Sequence, residues 1–399
     1  MSDWIKAEEY CVSVFDGTHD TPKVTETGFK LVTSKNILSN TLDLNSAYFI
    51  SEEDFVNINK RSKVKQYDIL FSMIGTVGSL YFETSDTIDY AIKNIGVFSC
   101  GDKEKAEWLY YYLQSSYAQQ YIKRYLNGAV QKFLPLKGLR EFPVPQFNKE
   151  LHNRIKILLN IDQKIQINNQ INQELEAMAK TLYDYWFVQF DFPDQNGKPY
   201  KSSGGKMVYH PELKREIPEG WGVEKLGDIT ICHDSKRVPL SSNDRELVKG
   251  EIPYYGATGI MDYVNDYIFD GDYVLMAEDG SVMTEKGTPI LQRISGKNWV
   301  NNHAHVLEPI KNHSCKLLMM LLKDVSVMKI KTGSIQMKIN QENMNKIVVP
   351  SIPLELLFEI NKKLEVIDKQ QLNLIEENKQ LTQLRNWLLP MLMNGQVII

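Results

Sequence analysis

Cysteine is scarce in this 399-residue chain. Cys11, Cys100, Cys232 and Cys315 lie far apart, with no CxxC pair among them. That spacing excludes a zinc ribbon or a dithiol redox motif and reads as isolated thiols in a reducing compartment. Long apolar runs are also missing. None approaches the roughly 18 residues of a membrane span, and the N-terminal residues form neither a secretory signal nor a transit peptide. Neither acidic nor basic residues are in large excess, with 50 Asp and Glu against 46 Lys and Arg. The formal net charge of −4 argues against indiscriminate coating of nucleic acid, although a local basic groove is compatible with it.

The motifs of common catalysis are not there. No GxxxxGK[ST] phosphate loop occurs; Gly204-Gly205-Lys206 lacks the spacing and the following Ser or Thr. No GxGxxG occurs, and no Asn- or Asp-Pro-Pro-aromatic motif of the kind that holds a target amine for methyl transfer. His303-Ala304-His305 sets two imidazoles on one side of a strand, but no acidic or cysteine ligand stands at metal spacing nearby in sequence. The expectation is a binding protein with no catalytic site, metal or cofactor of its own.

Two stretches lack both proline and glycine, and they organise the chain. Residues 149–188 carry Leu151, Ile155, Leu158, Ile171, Leu175, Met178, Leu182 and Tyr185 three and four apart. Residues 354–389, closed by Pro390, space Leu357, Ile360, Leu364, Ile367, Gln371, Leu374, Asn378, Leu381, Arg385 and Leu388 in the same way. Each pattern predicts a long helix with a coiled-coil seam, about 60 Å and 54 Å in length. The polar seam positions Gln371, Asn378 and Arg385 would fix register at some cost in stability. Leftover apolar residues, among them Ile157, Leu159, Ile167, Leu356, Ile375 and Leu384, point away from the seam and need covering.

Short β-type runs and turn signals fill the rest. The expected order is an α+β domain (1–148), a helix (149–190), a Gly/Pro/Ser/Lys-rich linker (191–218), a second α+β domain (219–353), and a last helix with its tail (354–399). The halves repeat. Gly128-Ala129-Val130-Gln131, Leu134, Leu139, Phe142, Val144 and Pro145 match Gly333-Ser334-Ile335-Gln336, Ile339, Met344, Ile347, Val349 and Pro350, at a constant offset of 205. After a one-residue insertion, Ile161-Asp162 matches Ile367-Asp368. The fold class is therefore α+β, with two similar domains, a pair of long antiparallel helices, and a pseudo-two-fold internal repeat. The segments 34–61 and 235–251, read as loops, differ most between the halves, as expected of one scaffold carrying two recognition surfaces.

Residue types suited to phosphates and base edges cluster in those loops. In the first half they are Thr18, His19, Lys23, Lys35, Asn36, Lys60, Arg61, Gln131 and Lys132. In the second they are Lys236, Arg237, Tyr254, Tyr255, Thr258, Asn302, His303, Gln336 and Lys338. Any one such cluster could be an ordinary solvated loop. The Gln–Lys pairs at matched places in both repeats argue otherwise.

Three stretches carry a family resemblance. Asp16-Gly17-Thr18-His19-Asp20-Thr21-Pro22-Lys23 resembles a DGTHxTP loop. The central run Asn168-Asn169-Gln170-Ile171-Asn172-Gln173-Glu174-Leu175-Glu176-Ala177-Met178-Ala179 with Leu182-Tyr183-Asp184-Tyr185-Trp186-Phe187 is the second. The closing Leu384-Arg385-Asn386-Trp387-Leu388-Leu389-Pro390-Met391-Leu392-Met393-Asn394-Gly395 is similar to an LRxxLLPxLLxG ending. Over nearly its whole length the chain resembles the specificity subunit of type I restriction-modification enzymes. The resemblance implies two target recognition domains that read a split, asymmetric site in double-stranded DNA. It implies helices that dock two modification subunits, which use S-adenosylmethionine to methylate adenine N6, and two restriction subunits, which use ATP and magnesium. It also implies a cytoplasmic setting in a bacterium or archaeon, with no membrane partner. The competing reading from another class is a coiled-coil adaptor whose end domains bind proteins; a cryptic nuclease or methyltransferase is disfavoured by the missing motifs.

Overall fold

A computed structural model describes residues 4–38, 40–127, 133–333, 337–393 and 396. The chain divides into two compact units, Met1–Ile167 with Asn378–Ile399, and Asn168–Glu377. Eight strands carry the argument: β1 (Ser13–Asp16), β2 (Ile69–Ser72), β3 (Leu80–Phe82), β4 (Ile95–Ser99), β5 (Thr230–Cys232), β6 (Tyr273–Ala277), β7 (Leu291–Ile294) and β8 (Ala304–Pro309). So do four helices: α1 (Lys103–Gln114), α2 (Lys149–Tyr183), α3 (Cys315–Leu322) and α4 (Leu354–Met393). Among the described residues, no helix is long and apolar enough to cross a membrane.

In the first unit, β1-β4-β2-β3 form an antiparallel sheet. Its central strands are apolar and buried throughout, as expected of strands covered on both faces. Alternation sends Ile69, Phe71 and Phe98 to one face, against Trp108 and Leu109 of α1. Leu70, Ile95 and Val97 go to the other, against Val32 and Ile92. A smaller sheet holds Phe29–Thr33 parallel to Tyr90–Lys93.

The second unit repeats this plan. Its sheet runs β5-β8-β6-β7, again antiparallel. Val274, Met276 and Leu307 face one core, which α3 also lines. Leu275, Ile294 and Val306 face the other. Here too a smaller sheet contains a parallel pair, Lys249–Tyr255 with Lys297–Val300. In both units the strand entering the small sheet leads straight into the central strand, through Asn94 in the first and Asn301–His303 in the second.

Each unit includes a segment of both long helices. In the first, Ile155 and Leu158 of α2 share a core with Leu392 of α4, and Arg385 Nη1 donates to Asp162 Oδ1 at 3.0 Å. In the second, Ala179 and Tyr183 share a core with Leu357, Ile360 and Leu364. There Asn168 Nδ2 donates to Glu377 Oε2 at 2.8 Å, and Gln371 Nε2 to the Asn172 carbonyl at 3.2 Å. Higher numbers on α2 meet lower numbers on α4, so these segments are antiparallel.

Several expectations are corrected in detail. Ile171 and Met178 are exposed rather than on the seam. The buried stripe keeps Leu175 and passes also through Asn168 and Ala179, whose polar or small side chains a search for large apolar residues overlooks. Helix α4 continues through Pro390 to Met393. Proline removes one hydrogen bond near the end of a helix, and burial of Leu392 beside Leu388 and Leu389 holds the last turn. The helix expected to reach 188 is α-helical to Tyr183, and Asp184–Val188 form a π-helical turn with Trp186 and Phe187 buried. The supposed loop 34–61 contains an 11-residue helix, Glu52–Ser62, capped by Ser51, with acids in its first turn and Lys60 and Arg61 in its last. The linker segment 191–218 contains the hairpin Met207–His210/Arg215–Pro218 and adds Phe192 and Ile217 to the second core.

Candidate nucleic-acid interface

The end of β1 and the junction before β4 come together in the first unit. Gly17 N donates to the Ile95 carbonyl at 2.9 Å and Thr18 N to the Ile92 carbonyl at 3.0 Å. A Cβ on Gly17 would lie 2.4 Å from the Ile92 oxygen, so only glycine fits this close crossing. His19 Nδ1 then lies 2.8 Å from Asn94 Oδ1, and its Nε2 lies 3.1 Å from Asp16 Oδ2. Ser34 Oγ donates to the Asn94 carbonyl at 3.3 Å, Lys93 Nζ donates to Thr21 Oγ1, and Arg61 stands 3.9 Å from Asp16. Asn94 has φ of 54°, a left-handed conformation that asparagine tolerates better than most residues. Tertiary structure thus gathers His19, Lys93, Asn94 and Arg61 from segments far apart in sequence. Lys23, Lys35 and Lys60 are exposed, and Thr18 is half-buried.

The equivalent place in the second unit is built around charge. Arg237 Nη1 donates to Glu278 Oε2 at 2.6 Å and to the Ala304 carbonyl at 2.7 Å, and its Nη2 lies 3.2 Å from Asp234. His305 Nδ1 lies 2.5 Å from Asp234 Oδ2, and its Nε2 lies 2.8 Å from the Ile339 carbonyl. Burial pushes the Asp234 carboxyl up. The hydrogen bond and charge of His305, with help from Cys232 and Arg237, outweigh it and hold the group below its usual range. Burial likewise raises Glu278, and Arg237 and Lys338 overcome it. Above this network, His303 pairs with Asp279, and Asn301 Oδ1 accepts from His303 N at 2.8 Å. Lys236, Thr258, Asn302 and Lys338 are exposed.

Four candidates are held inside their domains. Asn36 is buried, accepting from Thr33 N at 2.8 Å and donating to the Asp43 carbonyl. Arg237 is committed to the network just described. Tyr254 is buried, with its hydroxyl accepting from Leu240 N at 3.0 Å and Arg245 over its ring. Tyr255 packs partly buried against the second core of its unit. Gln131, Lys132 and Gln336 lie outside the described residues. Sequence reasoning missed Lys93 and Asn94, although a basic–amide pair between two β-type runs was a readable signal. Glu278 was missed as well, since nothing local distinguishes it from other acids.

Cys232, Asp234 and His305 offer ligand atoms within 4.8 Å of one another. Both imidazole nitrogens already meet oxygen partners, and the Arg237 cation adjoins Asp234. The group suits a hydrogen-bonded charge network better than a metal ion.

On the helices, Ile157, Ile167, Ile375 and Leu384 are exposed as expected. Leu159 and Leu356 instead pack against the cores of the first and second units.

A repeated α+β domain with polar and cationic loops at equivalent sheet ends, each resting on segments of two long helices, defines a duplicated recognition module. The chain belongs to the type I restriction modification DNA specificity domain family, whose model matches residues 18–177 and 218–384. It is 34% identical over 154 residues to a type I restriction enzyme specificity subunit of Haemophilus influenzae, a match spanning 38% of this chain and 39% of that relative. It is 25% identical over 316 residues to the MjaIX specificity subunit of Methanocaldococcus jannaschii, covering 73% of this chain and 69% of the relative. The crystal structure of a type I restriction-modification S subunit from M. genitalium matches with a TM-score of 0.50 at 16% identity, over 98% of this chain and 96% of that one. That likeness concerns the fold.

Proposed function

We propose that this chain is the DNA sequence-specificity subunit of a type I restriction-modification complex. Each α+β domain reads one half of a split, asymmetric duplex site. The helices dock two methyltransferase subunits, which bring S-adenosylmethionine for adenine-N6 methylation, and two restriction subunits, which bring ATP and magnesium. The chain itself supplies recognition and no catalysis, and it works in the cytoplasm of a bacterium or archaeon.

One observation carries this reading. The same junction, at the end of the edge strand and the entrance to the central strand, bears polar and cationic groups that are exposed or half-buried in both repeats, while the groups themselves differ. In the first unit they are His19, Lys35, Lys93 and Arg61; in the second, Lys236, Asn302, His303 and Lys338. Cations position phosphates, and amides and imidazoles address base edges. Equal scaffolds with unequal tips suit two different half-sites. The test is to map N6-methyladenine in the DNA of cells carrying the complex, then exchange residues 1–148 for the matching domain of a related subunit. One half of the methylated motif should change. A swap that altered both halves, or neither, would sink the reading.

A further inference from the structure

In the first unit, a carboxylate on α2 ties the recognition domain to the helices. Tyr111 of α1 is buried, and its hydroxyl donates to Asp162 Oδ2 at 2.5 Å. The other oxygen of Asp162 accepts from Arg385 of α4 at 3.0 Å. One carboxylate thus links the domain, the first long helix and the second. A separate attachment lies ten residues earlier on α2, where His152 Nε2 is 2.8 Å from Glu107 Oε2 of α1 and both residues are buried. Two attachments along α1 fix a crossing angle that one would leave free to swivel.

The second unit does the same thing with different donors. Asp368 of α4 is the repeat counterpart of Asp162. Its Oδ2 accepts from Arg293 Nη2 of β7 at 3.1 Å, with the arginine side chain largely buried. Lys316 of α3 stands at the offset of 205 from Tyr111 and is buried. It reaches both helices, donating to Glu176 of α2 and, at 2.8 Å, to Gln371 Oε1 of α4. The acceptor carboxylate keeps its place in both repeats, while the donor from the recognition domain is a phenol in the first and a guanidinium in the second. The hydrophobic effect that docks each domain on the helices is itself non-directional. Short, partly buried, charge-assisted hydrogen bonds are directional.

We propose that Asp162 and Asp368 are positioning residues, each fixing the attitude of its recognition domain on its own helix segments and thereby the spacing at which the DNA half-sites are accepted. This inference rests on the proposed DNA-specificity function. The experiment uses the full-length chain co-purified with its methyltransferase partner, incubated with a random-sequence duplex library; bound duplexes are recovered and sequenced. The wild type should enrich one split motif with one spacing. Tyr111→Phe, Asp162→Leu and Asp368→Leu should enrich the same half-site bases, with discrimination against spacings one base pair longer or shorter falling about tenfold. Asp162→Asn, which can still accept from Tyr111, should retain the wild-type spacing. Tyr111→Phe removes one oxygen and preserves the packing, so it decides the matter if a leucine variant does not fold. Undiminished discrimination in Tyr111→Phe and in the folded leucine variants would overturn the proposal. A wild type that enriches no split motif at all would overturn the underlying DNA-specificity reading, and this inference with it.

Discussion

Arg237 and Glu278 form an ion pair at 2.6 Å with both side chains about nine-tenths buried, and Asp234 lies on the other side of the same guanidinium. Removing the cation would leave two carboxylates short of a partner in a site with little water. Arg237→Ala should therefore destabilise the second unit by about 3–5 kcal/mol, the range for breaking one side of a buried pair. The neighbouring Lys236 is exposed. Lys236→Ala should leave stability within about 0.5 kcal/mol, weaken DNA binding evenly across sequences, and lower the salt slope by about one. Urea unfolding and a salt titration of binding separate the two residues. Equal unfolding midpoints for Arg237→Ala and the wild type would refute the structural role.

The same network sets a pH dependence. Asp234 and Glu278 are held below their ordinary ranges despite burial. Unfolding returns them to about 3.9 and 4.3. The unfolded chain then binds protons more readily, so stability from these groups is fully present above the unfolded values. It is lost as pH falls through the lower folded ones. Melting temperature should be flat in this contribution above about pH 5 and fall below about pH 4. Asp234→Asn combined with Glu278→Gln should flatten that acid limb. An unchanged limb in the double variant would show that other carboxylates dominate.

Gly17 is predicted to be irreplaceable for steric reasons. Its Cβ position is 2.4 Å from backbone oxygen, and no side chain can rotate away to relieve the clash. Gly17→Ala should cost about 1–3 kcal/mol, as overpacking does, and displace His19 from Asn94. Discrimination between duplexes that differ in the first half-site should fall, while dependence on the second half-site should remain normal. Wild-type affinity with wild-type stability would contradict the close crossing.

The long helices, the duplication and the two-domain order were legible because each is a pattern over many residues. Period-3.5 spacing in α4 matches burial or partial burial at every seam position from Leu357 to Leu388. The seam of α2 was misread at Ile171 and Met178, since hydrophobicity alone cannot show that Asn168 is paired across to Glu377. The interface was half legible. Loops flanked by turn residues declare themselves, so Thr18, His19, Lys236 and Asn302 could be named. Inclusion of Arg237, Asn36 and Tyr254 followed from residue type, but their partners Glu278, Asp43 and Leu240 are set by tertiary structure. In the Asp162–Tyr111–Arg385 link, Asp162 and Arg385 are 223 positions apart, and no local pattern marks it.

Exposed apolar residues on the long helices give the last prediction. Ile157, Ile167 and Leu384 in the first unit, and Ile375 in the second, are between 39% and 57% exposed. Aliphatic side chains left in water along a helix can be covered by another protein. Leu159 and Leu356 stand close by in sequence but pack against the domain cores. The two sets should therefore respond differently to the same change. Ile157→Lys with Ile167→Lys, or Ile375→Lys with Leu384→Lys, should leave the melting temperature within a few degrees of wild type. These variants should fail to co-elute with the methyltransferase subunit in size-exclusion chromatography. Leu159→Lys and Leu356→Lys should instead lower the melting temperature, because each buries an unpaired charge. Normal co-elution of the exposed-site variants would place the docking surface elsewhere on the chain. Unfolding of those variants would show that the four residues belong to a core.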